Sequence, residues 1–491
     1  MGARRHRGGG TVTTAVEGAN FIDGQWVPAA SGRTFARYNP ADPDDLVGTF
    51  PASDDVDVRT AVDALDKAAP EWAATPPERR AAILESAAGQ LESRAQALIG
   101  ELVREEGKTI AEATMEVSRT PANLRFYAGE ALRSTGTTYP AAGEGLVYTL
   151  REPVGIVGAI TPWNFPFNIP SRKLGPALAA GNPVLYKPSE VTPLMGQRLV
   201  EALLDGGLPP SALALVQGDG VAGAAVAADP RVAAVTFTGS TAVGRAIHRK
   251  VGPQRRVQLE MGGKNPVVVA ADANLEAAAA LIVKGAFGLS GQACTGTSRV
   301  IAVDAVHDTL LERVVAMADA LKVGPGDQPG VQMGPLASAA QQEKFLHYVH
   351  TGITEGATLR CGGTTVGERG FFVRPAVFAD ALPTMRIVTE EVFGPLIAFQ
   401  RAASLDEAIA LANATEYGLA ASIVTSDLAA ATHFAHRSKT GLVKINQPTT
   451  GMAMNAPFGG YKASSTQTFK EQAGPTLMEF YTLEKTVYLT P

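Results

Sequence analysis

An α/β fold with a largely parallel sheet is what the pattern of this chain predicts, and three observations carry the prediction. Short apolar runs at residues 154–160, 184–186 and 232–237 read as buried strands. Helix-like segments separate or follow them, over residues 168–180, from Thr192-Pro193 to near Gly206-Gly207, and from about Thr241. The same alternation returns over residues 263–300 and 330–450, which predicts a second α/β unit. Alternation of this kind builds βαβ units, whose parallel sheet is covered by helices on both faces.

Ahead of the first strand, residues 75–106 read as one long helix. Thr75 is its candidate N-cap, Pro76 its first position, and Glu78 the partner in a capping box. Ile83, Ala87, Leu91, Ala95, Leu98 and Leu102 then recur every three to four residues and form one apolar stripe. Gly107 ends it. Residues 135–152 and 478–491 mix Thr, Tyr, Val and Leu in a strand-like way. Residues 1–18 start basic and glycine-rich with no apolar stretch behind, which reads as a disordered tail and not a secretory signal.

Composition narrows the class. A chain of 491 residues, 45% hydrophobic and 19% charged, has room for two or three domains and a large core. A net charge of −5 implies no general affinity for nucleic acid. The two cysteines cannot build a disulfide framework, and no Cys/His cluster suggests a metal, so a reducing cytoplasm is expected. No stretch approaches the roughly 20 apolar residues of a membrane span, so no membrane partner is expected.

The chemistry concentrates in a few segments. Cys294 lies in Phe-Gly-Leu-Ser-Gly-Gln-Ala-Cys-Thr-Gly-Thr-Ser-Arg, residues 287–299, and Glu260 in Gln-Leu-Glu-Met-Gly-Gly-Lys-Asn-Pro, residues 258–266. A nucleophile in a small-residue loop together with a carboxylate beside Gly-Gly points to covalent catalysis with a separate base. Cys361, in a Gly-rich turn with no motif, reads as a buried small hydrophobe. The segment Phe-Thr-Gly-Ser-Thr-Ala-Val-Gly, residues 237–244, ends a strand and starts a helix; Gly239, Ser240 and Gly244 would bring helix-start N–H groups to a pyrophosphate. Residues 218–223 also match GxGxxG, but they follow at least two earlier strands, so loop packing is the better reading, with Gly220 kept among the cofactor candidates.

These segments together resemble the aldehyde dehydrogenase superfamily, over roughly residues 20–490. The resemblance implies a Rossmann-type cofactor domain (19–134 and 153–262), an α/β catalytic domain (263–460), and oligomerisation strands (135–152 and 478–491) that build a homodimer or homotetramer. It makes Cys294 the nucleophile, attacking as a thiolate of lowered pKa. Asn164, in Ile-Thr-Pro-Trp-Asn-Phe-Pro-Phe, is the oxyanion donor; Glu260 is the base that hydrolyses a thioester to the free acid; Lys173 and Glu471 are members of a proton relay. An exposed helix position is the alternative for Lys173. NAD, with NADP possible, would be held by Thr161, Pro162, Trp163, Lys187, Ser189, Glu190, Glu391 and Phe393. Glu190 would accept from a ribose 2′-OH and repel a 2′-phosphate, or else be an exposed acid at a helix start.

Substrate choice rests on Phe165, Ile169 and Arg172, which helix spacing turns to one face that the resemblance makes the substrate tunnel. Arg172 suits a carboxylate, or else lies at a surface or interface. The C-terminal motifs, including Pro-Phe-Gly-Gly-Tyr-Lys at 457–462, look most like 2,5-dioxopentanoate dehydrogenases, also called α-ketoglutarate semialdehyde dehydrogenases. Succinic semialdehyde is the second expectation, weakened because Gly288 stands where such enzymes carry a second arginine; a neutral aldehyde is third. A non-catalytic nucleotide-binding relative is the reading of a different class. Ser464-Ser465-Thr466 departs from the Ser-Gly of most members.

Overall fold

The structure, a computed structural model, describes residues 14–141, 145–469 and 472–490. Its first large sheet has seven strands. Five are parallel, in the spatial order Arg256–Glu260, Val232–Thr238, Ile156–Ile160, Val184–Lys187, Leu213–Leu215. Asn20–Ile22 and Gln25–Val27 extend it antiparallel. The order therefore reverses between Ile156–Ile160 and Val232–Thr238. Helices Asn168–Ala179, Pro193–Asp205, Gly220–Ala228 and Thr241–Val251 fill the crossovers, as the alternation predicts. The residue before the first crossover strand is Gly155 at φ +116°, which shortens that strand from the expected start.

A second seven-stranded sheet runs Thr358–Cys361, Ala376–Ala379, Leu396–Ala402, Thr297–Val303, Asn265–Val269, Ala420–Val424, Leu442–Ile445, all parallel except the first, an antiparallel edge strand. Val267, Val300, Ile397 and Phe399 on these strands are fully buried, which is why their sequences read as near-continuous apolar runs.

Four expectations need correction. Residues 75–106 form two helices, Pro77–Ser93 and Ala95–Glu106, separated at Arg94, whose φ −105° and ψ 4° leave the helical region. One such residue redirects the chain without disturbing the apolar spacing, so Leu91, Leu98 and Leu102 are all buried and the break left no trace in the pattern. Thr75 is not an N-cap: it closes the preceding helix Asp55–Ala74, and the N-cap of the next helix is Pro76, which makes no side-chain cap bond. Within the expected tail, Val16–Glu17 is a strand paired in parallel with Gly48 and Thr49; residues 1–13 lie outside the described residues. At the C-terminus, Pro475–Tyr481 is a 3₁₀ turn, and only Thr482–Leu489 is a strand. It pairs with Leu146–Pro153, which pairs with Thr138–Tyr139, so the two strand-like segments do meet in one small sheet.

Among the described residues no helix is long and apolar enough to cross a membrane.

Candidate active site

In an open parallel sheet, ligands settle outside the carboxyl ends of the strands where the strand order reverses. Residues 161–164 follow the strand Ile156–Ile160, Lys187 ends its neighbour, Gly239 and Ser240 follow Val232–Thr238, and Glu260 ends Arg256–Glu260. The second sheet meets this crevice with the amino ends of its strands: Cys294 precedes Thr297–Val303, and Glu391 and Phe393 precede Leu396–Ala402. The motifs scattered through the sequence are thus gathered by topology.

The nucleophile loop is held from several sides. Leu289 and Ser290 have φ of 55° and 53°, and Gly291 has φ +70° with the Gly394 backbone against its Cα. The Leu289 N–H donates to Glu112 Oε1 at 2.6 Å, and Ser290 Oγ donates to Gly334 O at 2.9 Å. Asn265 Nδ2 donates to the carbonyls of Cys294 (2.8 Å) and Gly296 (2.9 Å). A Cβ on Gly263 would lie 2.7 Å from both Asn265 Oδ1 and the Cys294 carbonyl, so this close approach requires glycine there. Asn164 Nδ2 donates to Gln292 O at 2.9 Å, which fixes its amide two residues from the nucleophile. An amide has two N–H groups, so one remains for an oxyanion.

Helix Ile110–Ala131 ties both loops together. Glu112 takes the Leu289 N–H, and one turn on Glu116 Oε1 accepts from Phe167 N (2.9 Å) and Asn168 N (3.1 Å), the start of the helix after Asn164. Lys108, buried, pairs with Glu116 at 3.2 Å and Glu106 at 3.4 Å and donates to the Asn164 carbonyl. Glu112, Glu116, Lys108 and Asn265 escaped the sequence reading. A signal existed for Glu112, since Thr109 to Glu112 spells a capping box, which the structure forms.

The electrostatics correct one expectation. Cys294, half-buried, does not have a lowered pKa here: burial pushes its thiol up to about 12, and Glu260 and Glu391 add to this while Arg172 opposes it. Desolvation and two neighbouring carboxylates outweigh the single guanidinium. Burial likewise raises the Glu260 carboxyl to about 8, against the hydrogen bond from Ser465 and the positive charges of Lys173 and Arg172. Glu260 Oε1 accepts from Ser465 Oγ at 2.8 Å, and its Oε2 is buried with no hydrogen-bond partner among the described residues. Lys173 is fully buried, which removes the exposed-lysine alternative; its Nζ donates to Thr236 Oγ1 at 2.7 Å, and burial holds it well below the usual ammonium value. Glu471 lies outside the described residues.

Arg172 is buried, not at a surface. Its Nη1 lies 2.7 Å from Met452 Sδ, and its guanidinium lies 5.5 Å from the Phe458 ring centroid. Met452, Phe458 and Cys294 share one apolar cluster, so arginine and nucleophile border the same wall. Ile169 is buried and Phe165 half-buried; Ile169 N donates to Phe165 O at 3.1 Å, so the helical turn expected after Asn164 forms.

The residues around the crevice fit a dinucleotide. Lys187 Nζ is held by the carbonyls of Pro188 and Gly218, both at 2.6 Å, and Glu190, half-exposed, stands 3.8 Å away. Burial lowers this ammonium to about 8. Ser189 Oγ accepts from Val191 N at 3.2 Å, ordering the turn. Ser240 caps helix Thr241–Val251, and Gly244 packs on Met261 with no room for a side chain. Gly220 opens helix Gly220–Ala228 behind its cap Asp219, so residues 218–223 form a helix start beside Lys187 and not a plain loop. Val221 and Val243, exposed in the first turns of these two neighbouring helices, offer an apolar surface that the sequence reading missed. Glu391 Oε1 accepts from Gly263 N at 3.0 Å, and Trp163 and Phe393 meet edge to face, centroids 5.5 Å apart. Thr161 is buried, with Oγ1 3.4 Å from Tyr186 Oη, and Pro162 is half-buried beside it.

A thiol, an amide donor and a buried carboxylate are set around a crevice whose lining fits a dinucleotide, the arrangement of a nicotinamide-dependent oxidoreductase. The chain belongs to the aldehyde dehydrogenase family, whose model matches residues 26–487, and it is an NAD(P)-dependent dehydrogenase. It is 42% identical to the 2,5-dioxopentanoate dehydrogenase of Saccharolobus solfataricus over 94% of this chain and 98% of that one. It is 41% identical to the alpha-ketoglutarate semialdehyde dehydrogenase of Haloferax volcanii, covering 96% and 98%. The solved NAD-dependent aldehyde dehydrogenase of Sinorhizobium meliloti superposes with a TM-score of 0.93 at 37% identity, covering 97% of this chain and 95% of that one.

Proposed function

We propose that the protein oxidises a carboxylate-bearing semialdehyde, 2,5-dioxopentanoate first, to the corresponding acid. Arg172 carries the reading: a buried guanidinium on the wall shared with the nucleophile, with no carboxylate partner among the described residues and its Nε unpaired. A buried charge without a counter-ion is costly in the resting protein, and a substrate carboxylate would supply the missing partner. The names of the two relatives agree with this chemistry.

In this reading Cys294 loses its thiol proton to solvent and adds to the aldehyde carbon as the thiolate, and Asn164 and the Cys294 N–H stabilise the resulting oxyanion; loss of one such donor costs about 2.7–4 kcal/mol of barrier. A bound nicotinamide would supply the hydride acceptor that the Cys294 adduct needs to become a thioester. Glu260 then takes a proton from the water that hydrolyses it, with Lys173 and Glu471 relaying the proton. Thr161, Pro162, Trp163, Lys187, Ser189, Glu190, Gly220, Gly239, Ser240, Gly244, Glu391 and Phe393 hold the cofactor, and Glu190 favours NAD over NADP. Phe165 and Ile169 complete the substrate wall. Residues 19–134 and 153–262 act as the cofactor domain and 263–460 as the catalytic domain. The small sheet of Thr138–Tyr139, Leu146–Pro153 and Thr482–Leu489 joins subunits of a cytoplasmic dimer or tetramer.

The test is a comparison of initial rates with 2,5-dioxopentanoate, succinic semialdehyde, propanal and benzaldehyde, using NAD and NADP, in the native protein and in Cys294→Ala. A kcat/KM highest for 2,5-dioxopentanoate and abolished in the variant is expected. A preference for the neutral aldehydes would retire the carboxylate reading.

A further inference from the structure

Ser464-Ser465-Thr466 is the stretch where this chain departs from the Ser-Gly expected there, and the structure gives the departure a place. The segment lies antiparallel against the end of the strand that carries Glu260, with Ser465 opposite Glu260. Met261 N donates to Ser464 O at 2.8 Å and Thr466 N to Leu259 O at 3.3 Å, while Thr466 Oγ1 accepts from Leu259 N at 3.3 Å. Ser464 Oγ accepts from Gly418 N at 3.0 Å, which anchors the segment on its other side. Ser465, buried, therefore has a fixed position. Its Oγ lies 2.8 Å from Glu260 Oε1 and 2.9 Å from the Leu259 carbonyl.

A hydroxyl has one proton and two lone pairs, so these two contacts cannot both be full donations. With Glu260 ionised, Ser465 gives its proton to the carboxylate. With Glu260 protonated, the carboxyl O–H can donate to Ser465 Oγ, and Ser465 turns its own proton to the Leu259 carbonyl. Both states keep Glu260 hydrogen-bonded in one place, whereas glycine at 465 would offer nothing to either.

We propose that Ser465 is a positioning residue for Glu260, keeping its carboxyl group hydrogen-bonded in one place in both protonation states and favouring the ionised form that acts as base. The inference rests on the reading of Glu260 as the base that hydrolyses the thioester. Among the described residues, the titratable and charged groups facing Glu260 are Lys173 and Arg172 on helix Asn168–Ala179 and the Cys294 thiol. Donation to the carboxylate lowers its pKa, so loss of Ser465 raises it further and moves the onset of base activity to higher pH.

The experiment measures the pH dependence of kcat with NAD and propanal, and the fraction of Cys294 carrying the acyl mass at steady state, for the native protein, Ser465→Ala, Ser465→Gly and Ser465→Thr. In the alanine and glycine variants the rising limb should move alkaline by about one pH unit, the size expected for one hydrogen bond to a charged group. The acyl-cysteine fraction at pH 7 should rise with it, and threonine should restore both. A limb that stays in place in alanine and glycine, a threonine variant that behaves like alanine, or loss of folding in all three overturns the proposal. Glu260→Gln separates the two levels. If it accumulates no thioester, the base assignment itself fails; if it does while Ser465→Ala keeps the native limb, only the role of Ser465 fails.

Discussion

Replacing Arg172 with methionine should divide two properties that the native side chain trades against each other. Methionine keeps most of the volume beside Met452 and Phe458 and removes the guanidinium. A hydrogen bond to a charged group contributes about 1.5–3 kcal/mol, so kcat/KM for an acidic semialdehyde should fall by a factor of about 10 to 150. Propanal, with no carboxylate, should lose less than about threefold on the same scale, since no charged contact is removed. Stability should move the other way. Burial holds the Arg172 pKa below its usual value, the sign of a charge that the native fold strains to keep. Removing a buried charge that has no ionic partner among the described residues should stabilise the fold by about 1 kcal/mol or more. Initial rates of NADH formation and a denaturant titration read the two effects. Equal losses for both aldehydes, or a less stable variant, would refute the reasoning.

Other outcomes follow from the same geometry. Glu190→Ala should raise the NADP to NAD ratio of kcat/KM, because a half-exposed carboxylate beside Lys187 no longer repels a 2′-phosphate; an unchanged ratio would move Glu190 away from the ribose. Glu116→Ala strips two helix-start N–H groups of their acceptor and Lys108 of a partner, and should destabilise by about 3 kcal/mol. The denaturant midpoint reads this, and an unchanged midpoint would make the clamp ornamental. For the cofactor-free protein, alkylation of Cys294 by iodoacetamide should keep rising about tenfold per pH unit beyond pH 9, since only thiolate reacts and the thiol titrates at about 12. Glu260→Gln removes a neighbouring negative charge and should speed the reaction above the pH where Glu260 ionises; a plateau below pH 9 would contradict the raised value.

The parallel sheets and their crossovers were legible because a strand buried on both faces and an amphipathic helix leave opposite signatures in sequence. The break at Arg94 was not, since a single residue outside the helical region leaves the apolar spacing intact. Cys294, Glu260 and Asn164 stood out by residue type and motif. Lys108, Glu112 and Glu116 did not: a surface helix also spaces its charges three and four apart, and only the fold shows Lys108 and Glu116 buried, Glu112 half-buried, and all three turned onto two loops. The state of the thiol was misread for a related reason. A cysteine motif identifies a nucleophile, but its proton affinity depends on burial and on Glu260 and Glu391, which lie 34 residues before it and 97 after it by the sequence numbering.

Helix Ile110–Ala131 grips the nucleophile loop through Glu112 and the amide-donor loop through Glu116, one turn apart. The spacing between the attacking sulfur and the group that receives the developing charge is therefore set by the pitch of a rigid rod, not by either loop. Met452 and Phe458, in the apolar cluster beside Cys294, come from a separate segment of the chain that this helix does not grip. Selection can recut the pocket there to suit new aldehydes while the reacting pair stays in alignment, so chemistry and substrate range are free to evolve on separate clocks.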